Sequence, residues 1–269
     1  MRLDPTAKIT NKERWGGYHL LILESPDIAR EAVPGQFLMI RVAYGSRPLL
    51  RRPFGVHSRS DGSLGIFFKI EGEGTNLLAG KNPGETLDLI GPLGKGFNLG
   101  LGEEGEAHSG APALVVGGGR GIAPLAFLAA EMRKNGRTVK ILYGGRSRTD
   151  IPLKDRLKAE GGDLVCATDD GSFGFSGLVT DLLDKEIQKS PASAVYACGP
   201  EPMLETVNRI AAAAGLPCEL SLEARMGCGF GACWGCVRRI RKNGAESWVK
   251  ICEDGPVFSG GDVVWTVKG

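Results

Sequence analysis

The chain has 269 residues, with 33 Lys+Arg against 31 Asp+Glu and a net charge of +2. That length fits two or three small domains, and so even a charge balance argues against a nucleic-acid partner or an acidic membrane surface. The most apolar stretch, Ala111 to Ala130, contains Arg120 and glycines 117, 118, 119 and 121, so it cannot span a bilayer.

The N-terminus, Met1-Arg-Leu-Asp-Pro5, is charged and broken by proline, unlike a signal peptide. From Thr6 to about Gly100 short runs of β character recur at Tyr18 to Leu23, Gln36 to Val42, Ser63 to Ile70 and Thr86 to Ile90, punctuated by Pro-Gly pairs at 34–35 and 83–84. Many short strands with turn signals predict a small antiparallel β-barrel. Within it, Arg51-Arg52-Pro53-Phe54-Gly55-Val56 sets a cation beside a proline-stiffened strand and an aromatic ring, a pairing suited to a pyrophosphate and a flat flavin. Farther on, Gly74-Thr75 precedes a short helical segment, a phosphate-binding geometry in which Thr75 is equally a plausible N-cap.

The stretch from Leu99 to Pro112, rich in Gly and Glu, reads as a linker. Beyond it, buried-strand candidates at Ala113 to Val116, Val139 to Tyr143, Asp163 to Cys166 and Ala194 to Ala197 are interleaved with helical stretches. Those helices fall at Pro124 to Lys134, Leu153 to Glu160 and Gly177 to Lys189, with Pro202 to Ala214 after the last strand. Strand and helix in alternation predict a doubly wound parallel sheet. Gly117-Gly118-Gly119-Arg120-Gly121 follows the first strand and opens a helix, where bare backbone and a helix N-terminus can meet a dinucleotide pyrophosphate. The spacing departs from G-x-G-x-x-G, so an ordinary tight turn stays open. Cys198-Gly199-Pro200 marks the end of a later strand, the edge at which such sheets bind ligands.

Cys228, Cys233 and Cys236 stand in C-x4-C-x2-C spacing, with Cys252 downstream, the pattern of plant-type [2Fe-2S] ligation. Two irons and two sulfides need four thiolates brought to one point, and glycines 227, 229, 231 and 235 allow a tight loop to supply three. A four-cysteine zinc site is the alternative. The chain has seven cysteines, an odd number at uneven spacings, and cluster ligands must be free thiolates. This points to a reducing cytoplasm and not to a disulfide framework, with Cys166 and Cys218 as inert core thiols. Trp234 lies between two of the ligands, with Phe230 and Met226 nearby. These apolar side chains either form a docking surface or cover the cluster within the chain.

Together, Arg52-Pro-Phe-Gly55, Gly72-Glu-Gly-Thr75, Gly91-Pro-Leu-Gly-Lys-Gly-Phe97, Gly117 to Pro124 and Cys198-Gly-Pro-Glu-Pro-Met203 resemble the ferredoxin reductase superfamily. Within it, Ser221 to Cys236 and Cys252-Glu-Asp-Gly-Pro-Val-Phe258 resemble the electron-transfer subunits of bacterial class B dihydroorotate dehydrogenases of pyrimidine biosynthesis. The resemblance implies an FAD barrel over residues 1–104, an NAD domain over 105–222 and a [2Fe-2S] domain over 223–269. It also implies a separate FMN-containing catalytic subunit, two of each forming a heterotetramer. By the same resemblance Arg52, Pro53, Phe54, Gly55, Phe67, Phe68, Lys69, Gly74 and Thr75 contact FAD. Gly55 stands where Ser or Thr commonly faces the flavin N5, so a backbone N–H, Ser58 or His57 would have to substitute. Cys198 and Glu223 are candidates to line the contact between nicotinamide and flavin, each also readable as a core thiol or a surface carboxylate. The turn Asp169-Asp-Gly-Ser172 either touches the nucleotide or is only a loop. Arg146 and Arg148 follow the second sheet strand, where a 2′-phosphate would sit, which leaves NADP open although the resemblance favours NAD. Two other functions share these motifs: a reductase feeding an oxygenase, or serving in sulfide- or ferredoxin-dependent NADP reduction, and a non-enzymatic redox sensor.

Overall fold

The computed structural model describes residues 1–45, 47–102, 110–242 and 244–265. The expected boundary between 104 and 105, and part of the Leu99 to Pro112 linker, lie outside the described residues.

The first hundred residues form a closed six-stranded barrel, in the order β1 (Arg2–Trp15), β2 (Tyr18–Glu24), β5 (Ser63–Lys69), β4 (Arg52–Ser60), β3 (Phe37–Arg41) and β6 (Thr86–Leu93). Every neighbouring pair is antiparallel. Two hairpins close through two-residue turns: Gly16-Gly17, between paired Trp15 and Tyr18, and Asp61-Gly62, between paired Ser60 and Ser63. Gly16 and Gly62 take φ of 57° and 70°, the left-handed backbone that such turns require. Leu21, Leu23, Leu38, Ile40 and Leu64 fill the interior, each buried. Two short helices, α1 (Pro26–Glu31) and α2 (Glu73–Ala79), join strands of the barrel. The N-cap of α2 is Gly72, not Thr75. Thr75 stands at the third helical position, where its Oγ1 accepts the backbone N–H groups of Glu71 at 2.9 Å and Gly72 at 3.1 Å.

A seven-stranded sheet follows. Its parallel part comprises β7 (Ala113–Gly118), β8 (Val139–Gly145), β9 (Asp163–Thr168), β10 (Phe175–Ser176), β11 (Ala194–Cys198) and β12 (Cys218–Ser221), in the order β10-β9-β8-β7-β11-β12. The connecting helices are α3 (Ile122–Lys134), α4 (Lys154–Ala159), α5 (Val179–Lys189) and α6 (Glu201–Ala213). Most buried residues of α3 and those of α4 belong to one core, with Phe127 of α3 packing into the barrel core instead, and those of α5 and α6 belong to another, as a doubly wound sheet requires. Residues Ile122 to Ala129 of α3 are all buried, because this helix packs on the sheet and on barrel strand β4 at once. A helix apolar all round is what such a double contact demands.

The C-terminal residues return to that sheet. After the cysteine loop come a hairpin, β13 (Val237–Lys242) with β14 (Ala245–Lys250), and a short α7 (Ile251–Asp254). Then β15 (Val257–Ser259) pairs antiparallel with β12 and forms the last strand of the sheet. The cysteine region is therefore anchored at both its ends, by β12 before it and β15 after it. Among the described residues no helix is long and apolar enough to cross a membrane.

Candidate functional site: two clefts and a cysteine loop

A cleft of about 890 Å³ opens between the barrel and the start of α3. Arg52, Pro53, Phe54 and Gly55 of β4, Phe67, Phe68 and Lys69 of β5, and Thr75 all line it, as the motifs predict. Gly74 does not line it but makes room for Arg52: a Cβ there would stand 3.1 Å from Arg52 Nε and 3.2 Å from its Cγ. Arg52 is steadied by donating Nη1 to the Leu50 carbonyl at 2.7 Å. The cleft thus has a guanidinium at one part of its wall and aromatic rings at another. Its size and donor set fit a flavin dinucleotide.

Neither of the two side chains proposed to substitute at Gly55 reaches this cleft. The His57 ring is buried and packs toward α3, donating Nδ1–H to the Ala123 carbonyl at 3.2 Å. Burial pushes its pKa down to about 4. Ser58 packs against Gly65 instead.

A second cleft, of about 600 Å³, lies outside the carboxyl ends of β7, β8, β9 and β11, where open α/β sheets bind ligands. Gly118, Gly119, Gly199 and Pro200 line it, joined by Gly144, Gly145 and Thr180, which the motifs did not single out. Gly117 lines neither cleft. Its missing side chain lets α3 approach, since a Cβ would come within 2.8 Å of Ile122 Cδ1. Gly121 lines the barrel-side cleft and abuts the Cys198 carbonyl so closely that no Cβ fits. Arg146 and Asp169 stand on the second cleft. Arg148 instead lies over the Phe173 ring, 5.6 Å from its centroid. Tyr18 and Asp150 complete the wall, Asp150 Oδ1 accepting both Tyr18 Oη–H and Lys69 Nζ–H at 2.9 Å. Burial would raise the Asp150 pKa, but these two donors hold it below the ordinary carboxylate value.

The two clefts share Lys69, Glu71, Arg120 and Glu223. Glu223 thus stands on both clefts, whereas Cys198 lines only the barrel side. The Cys198 thiol is buried and pushed up to about 12, by that burial first and by Glu223 next, so it stays protonated near neutrality. Sequence reasoning missed Glu71 and Arg120 as wall residues, and it also missed Ala224 and Arg225 on the barrel-side cleft. Met226, expected either on a docking surface or as cover for the cluster, lines that cleft as well.

Two positions beyond Met226 the cysteine loop begins. Among the described residues no three His, Cys, Asp or Glu side chains gather to hold a single metal ion. The thiols fall into two pairs instead, Cys228 with Cys233 and Cys236 with Cys252. Backbone N–H groups point at the sulfurs: Gly231 at Cys252 Sγ (3.1 Å), Cys233 at Cys228 Sγ (3.4 Å) and Cys252 at Cys236 Sγ (3.4 Å). Burial raises the Cys228 pKa, but the N–H groups of Phe230 and Cys233, the Cys233 side chain and the Ala232 N–H outweigh it and bring the thiol down to about 7. Two pairs of cysteines suit a two-iron cluster, one pair to each iron, better than one tetrahedral zinc. Cys236 and Cys252 are buried, while Cys233 is exposed. Beside it Trp234 is 58% and Phe230 45% exposed, and Trp234 takes a left-handed φ of 54°. Cys166 and Cys218 are raised to about 11 and 12 by burial, as inert thiols should be.

A barrel and a doubly wound sheet with clefts meeting at one wall define an oxidoreductase of the ferredoxin-reductase type. Across 97% of this chain and 91% of the other, the fold matches the structure of an NADH-dependent reduced ferredoxin–NADP oxidoreductase, with a TM-score of 0.81 and 29% identity. Residues 115–209 match the oxidoreductase NAD-binding domain family. Residues 223–264 match the iron–sulfur cluster binding domain of dihydroorotate dehydrogenase B. The electron transfer subunit of dihydroorotate dehydrogenase B (NAD(+)) from Desulforamulus reducens is 40% identical over 244 residues, 90% of each chain. Its counterpart from Geobacillus sp. (strain WCH70) is 39% identical over 269 residues, 98% of this chain and 99% of that one. The chain belongs to the family of dihydroorotate dehydrogenase B electron-transfer subunits.

Proposed function

We propose that this chain takes electrons from a separate FMN-containing dihydroorotate dehydrogenase catalytic subunit and delivers them to NAD+, as a step of pyrimidine biosynthesis in the cytoplasm. Two copies of each subunit would form a heterotetramer. FAD would occupy the barrel over residues 1–104, NAD the sheet over 105–222, and a [2Fe-2S] cluster the segment 223–269, with β15 tying that segment back to the sheet. The observation that carries this reading is continuity. The Ser221 to Met226 segment lines the barrel-side cleft and enters Cys228 two residues later, while Glu223 on the same segment reaches the nucleotide-side cleft.

When bound, the cluster supplies one-electron transfer and the FAD exchanges single electrons for the hydride that nicotinamide accepts. The chain's own residues bind and orient. Arg52 would neutralise the FAD pyrophosphate, with Phe54, Phe67 and Phe68 beside the ring. Pro53, Gly55, Lys69 and Thr75 complete that wall. Gly118, Gly119, Gly199 and Pro200 would admit the dinucleotide backbone at the start of α3. Asp169 on the cleft suits a free ribose hydroxyl, which supports NAD. Cys228, Cys233, Cys236 and Cys252 would hold the irons. The exposed Trp234 and Phe230 beside Cys233 would form the docking face for the catalytic subunit. Arg146 on the nucleotide cleft and the likeness to a ferredoxin–NADP oxidoreductase favour a second reading, a reductase serving another FAD and [2Fe-2S] system.

The test is reconstitution with the FMN catalytic subunit. Dihydroorotate-dependent NAD+ reduction is expected from the mixture. Cys233→Ser should lose iron and sulfide, and with them this coupled reaction, yet still oxidise NADH with an artificial two-electron acceptor. Trp234→Glu should keep its cofactors but fail to couple. Full iron in Cys233→Ser would overturn the ligand assignment, and unimpaired coupling by Trp234→Glu would move the interface elsewhere.

A further inference from the structure

Rings that exchange a hydride between the two clefts must meet at the wall the clefts share, and one of the two cations on that wall is Arg120. Its Nη1 is paired with Glu71, and its Nη2 donates to Glu223 Oε2 at 3.1 Å. The three residues come from three parts of the chain: Glu71 from the loop before α2, Arg120 from the turn that opens α3, and Glu223 from the segment leading to the cysteines. The wall's other cation, Lys69, is paired with Asp150 instead, at 2.9 Å. Arg120 therefore bridges two carboxylates that stand, as it does, on both clefts.

The bridge is easily opened. The side chains of Arg120, Glu71 and Glu223 are 42%, 53% and 51% exposed, and ion pairs so open to water are weak. Arg120 also stands between Gly119 and Gly121 in the turn at the N-terminus of α3, beside Gly118 and Gly199, where the proposed function puts the dinucleotide phosphates. A pyrophosphate there offers the guanidinium a paired, doubly charged acceptor, the partner for which its planar fork is best suited.

We infer that Arg120 is a gate between the clefts: without nucleotide it bridges Glu71 and Glu223, and a bound pyrophosphate draws it off them and opens the passage. The inference rests on the proposed nucleotide site. It makes Glu71 and Glu223 competitors of the phosphate for one cation, and it makes the route between the clefts available only when nucleotide is present.

The test is calorimetric binding of ADP-ribose, which has the pyrophosphate but no nicotinamide, to the purified cofactor-loaded chain. Glu71→Gln and Glu223→Gln should each bind it roughly two- to five-fold more tightly, the size of one exposed ion pair. Arg120→Ala should bind it about ten-fold more weakly, having lost a charge-assisted contact. In the Arg120→Ala background, Glu71→Gln should change nothing, because the competition needs the cation. If Glu71→Gln tightens binding equally with or without Arg120, the effect is general electrostatics and the gate is overturned. Unchanged affinity in both glutamine variants overturns it as well. Failure of the unaltered chain to bind ADP-ribose removes the nucleotide site and the gate together, whereas binding without the carboxylate effect removes the gate alone.

Discussion

The two clefts are built on opposite principles. The barrel-side cleft is made by side chains that are present, Arg52, Phe54, Phe67 and Phe68. The nucleotide-side cleft is made largely by side chains that are missing, at Gly118, Gly119, Gly144, Gly145 and Gly199. Each recognises through what it exposes: a cation and rings in the first, bare backbone and strand ends in the second. The difference predicts opposite responses to substitution. Adding an atom should do little on the barrel strands and much where the start of α3 meets β11, while removing a side chain should do the reverse.

The largest effect should follow from Gly121→Ala. A Cβ at this position runs into the Cys198 carbonyl and comes within 2.8 Å of the Gly199 nitrogen, and backbone cannot swing away as a flexible side chain can. The expected loss is about 3 kcal/mol of stability, with nucleotide binding impaired in whatever folds. Thermal denaturation read with NADH binding checks this, and a variant of unchanged midpoint would mean that α3 and β11 are not so tightly apposed.

His57 belongs to both regions, since it is a barrel residue bonded to the backbone of α3. Its buried ring is neutral in the folded chain, with a pKa of about 4, lowered by burial first, against about 6.5 in the unfolded chain. The folded-state value is the depressed one, so the full stability is present above pH 6.5. It falls as pH drops from 6.5 to 4, where the unfolded chain takes up the proton and the folded chain does not. The loss over that window should be roughly 3 kcal/mol. Denaturant titrations should show this slope, and His57→Gln should flatten it whatever the variant's absolute stability. An unchanged slope would place the titrating group elsewhere.

Which parts were legible from sequence follows the same division. Side-chain motifs declare themselves, so Arg52 to Gly55, singled out from sequence, do line the barrel-side cleft. Glycines declare a place but not a role. Gly117 and Gly118 are adjacent and identical, yet one admits a helix and the other lines a cleft. Long-range partners were invisible: Arg120 meets Glu71 and Glu223 across 49 and 103 positions, and no local pattern marks such a meeting. Strand β1 went unrecognised because most of its residues face outward and are polar, leaving only Ala7 and Ile9 fully buried. Strand β15 is three residues long and owes its existence to β12. The spacing of the cysteines marked four candidate ligands but not which two lie together, since the pairing depends on how α7 carries Cys252 back to Cys236.

Arg52→Ala tests the barrel cleft from the other side. Truncation removes charge-assisted hydrogen bonds of about 1.5–3 kcal/mol, or roughly ten- to hundred-fold in FAD affinity. The purified variant should be pale and regain colour only with excess FAD. ADP-ribose binding at the glycine-lined cleft should persist, because Arg52 does not line it. Full flavin occupancy would place the pyrophosphate away from β4.

The smallest effect, and the sharpest contrast with Gly121, is expected at Gly55. It is a glycine on a cleft, but its φ is not in the left-handed range and a Cβ would meet only Pro124, at 3.6 Å, an ordinary contact distance. Gly55→Ser should therefore change stability by no more than about 0.5 kcal/mol. The added hydroxyl would face the barrel-side cleft, where neither His57 nor Ser58 now supplies a polar group. With FAD bound, the flavin spectrum and reduction potential should shift while the denaturation midpoint stays fixed. A loss of stability near that of Gly121→Ala would show that packing at the α3 start, and not the chemistry of either cleft, decides where a side chain is forbidden.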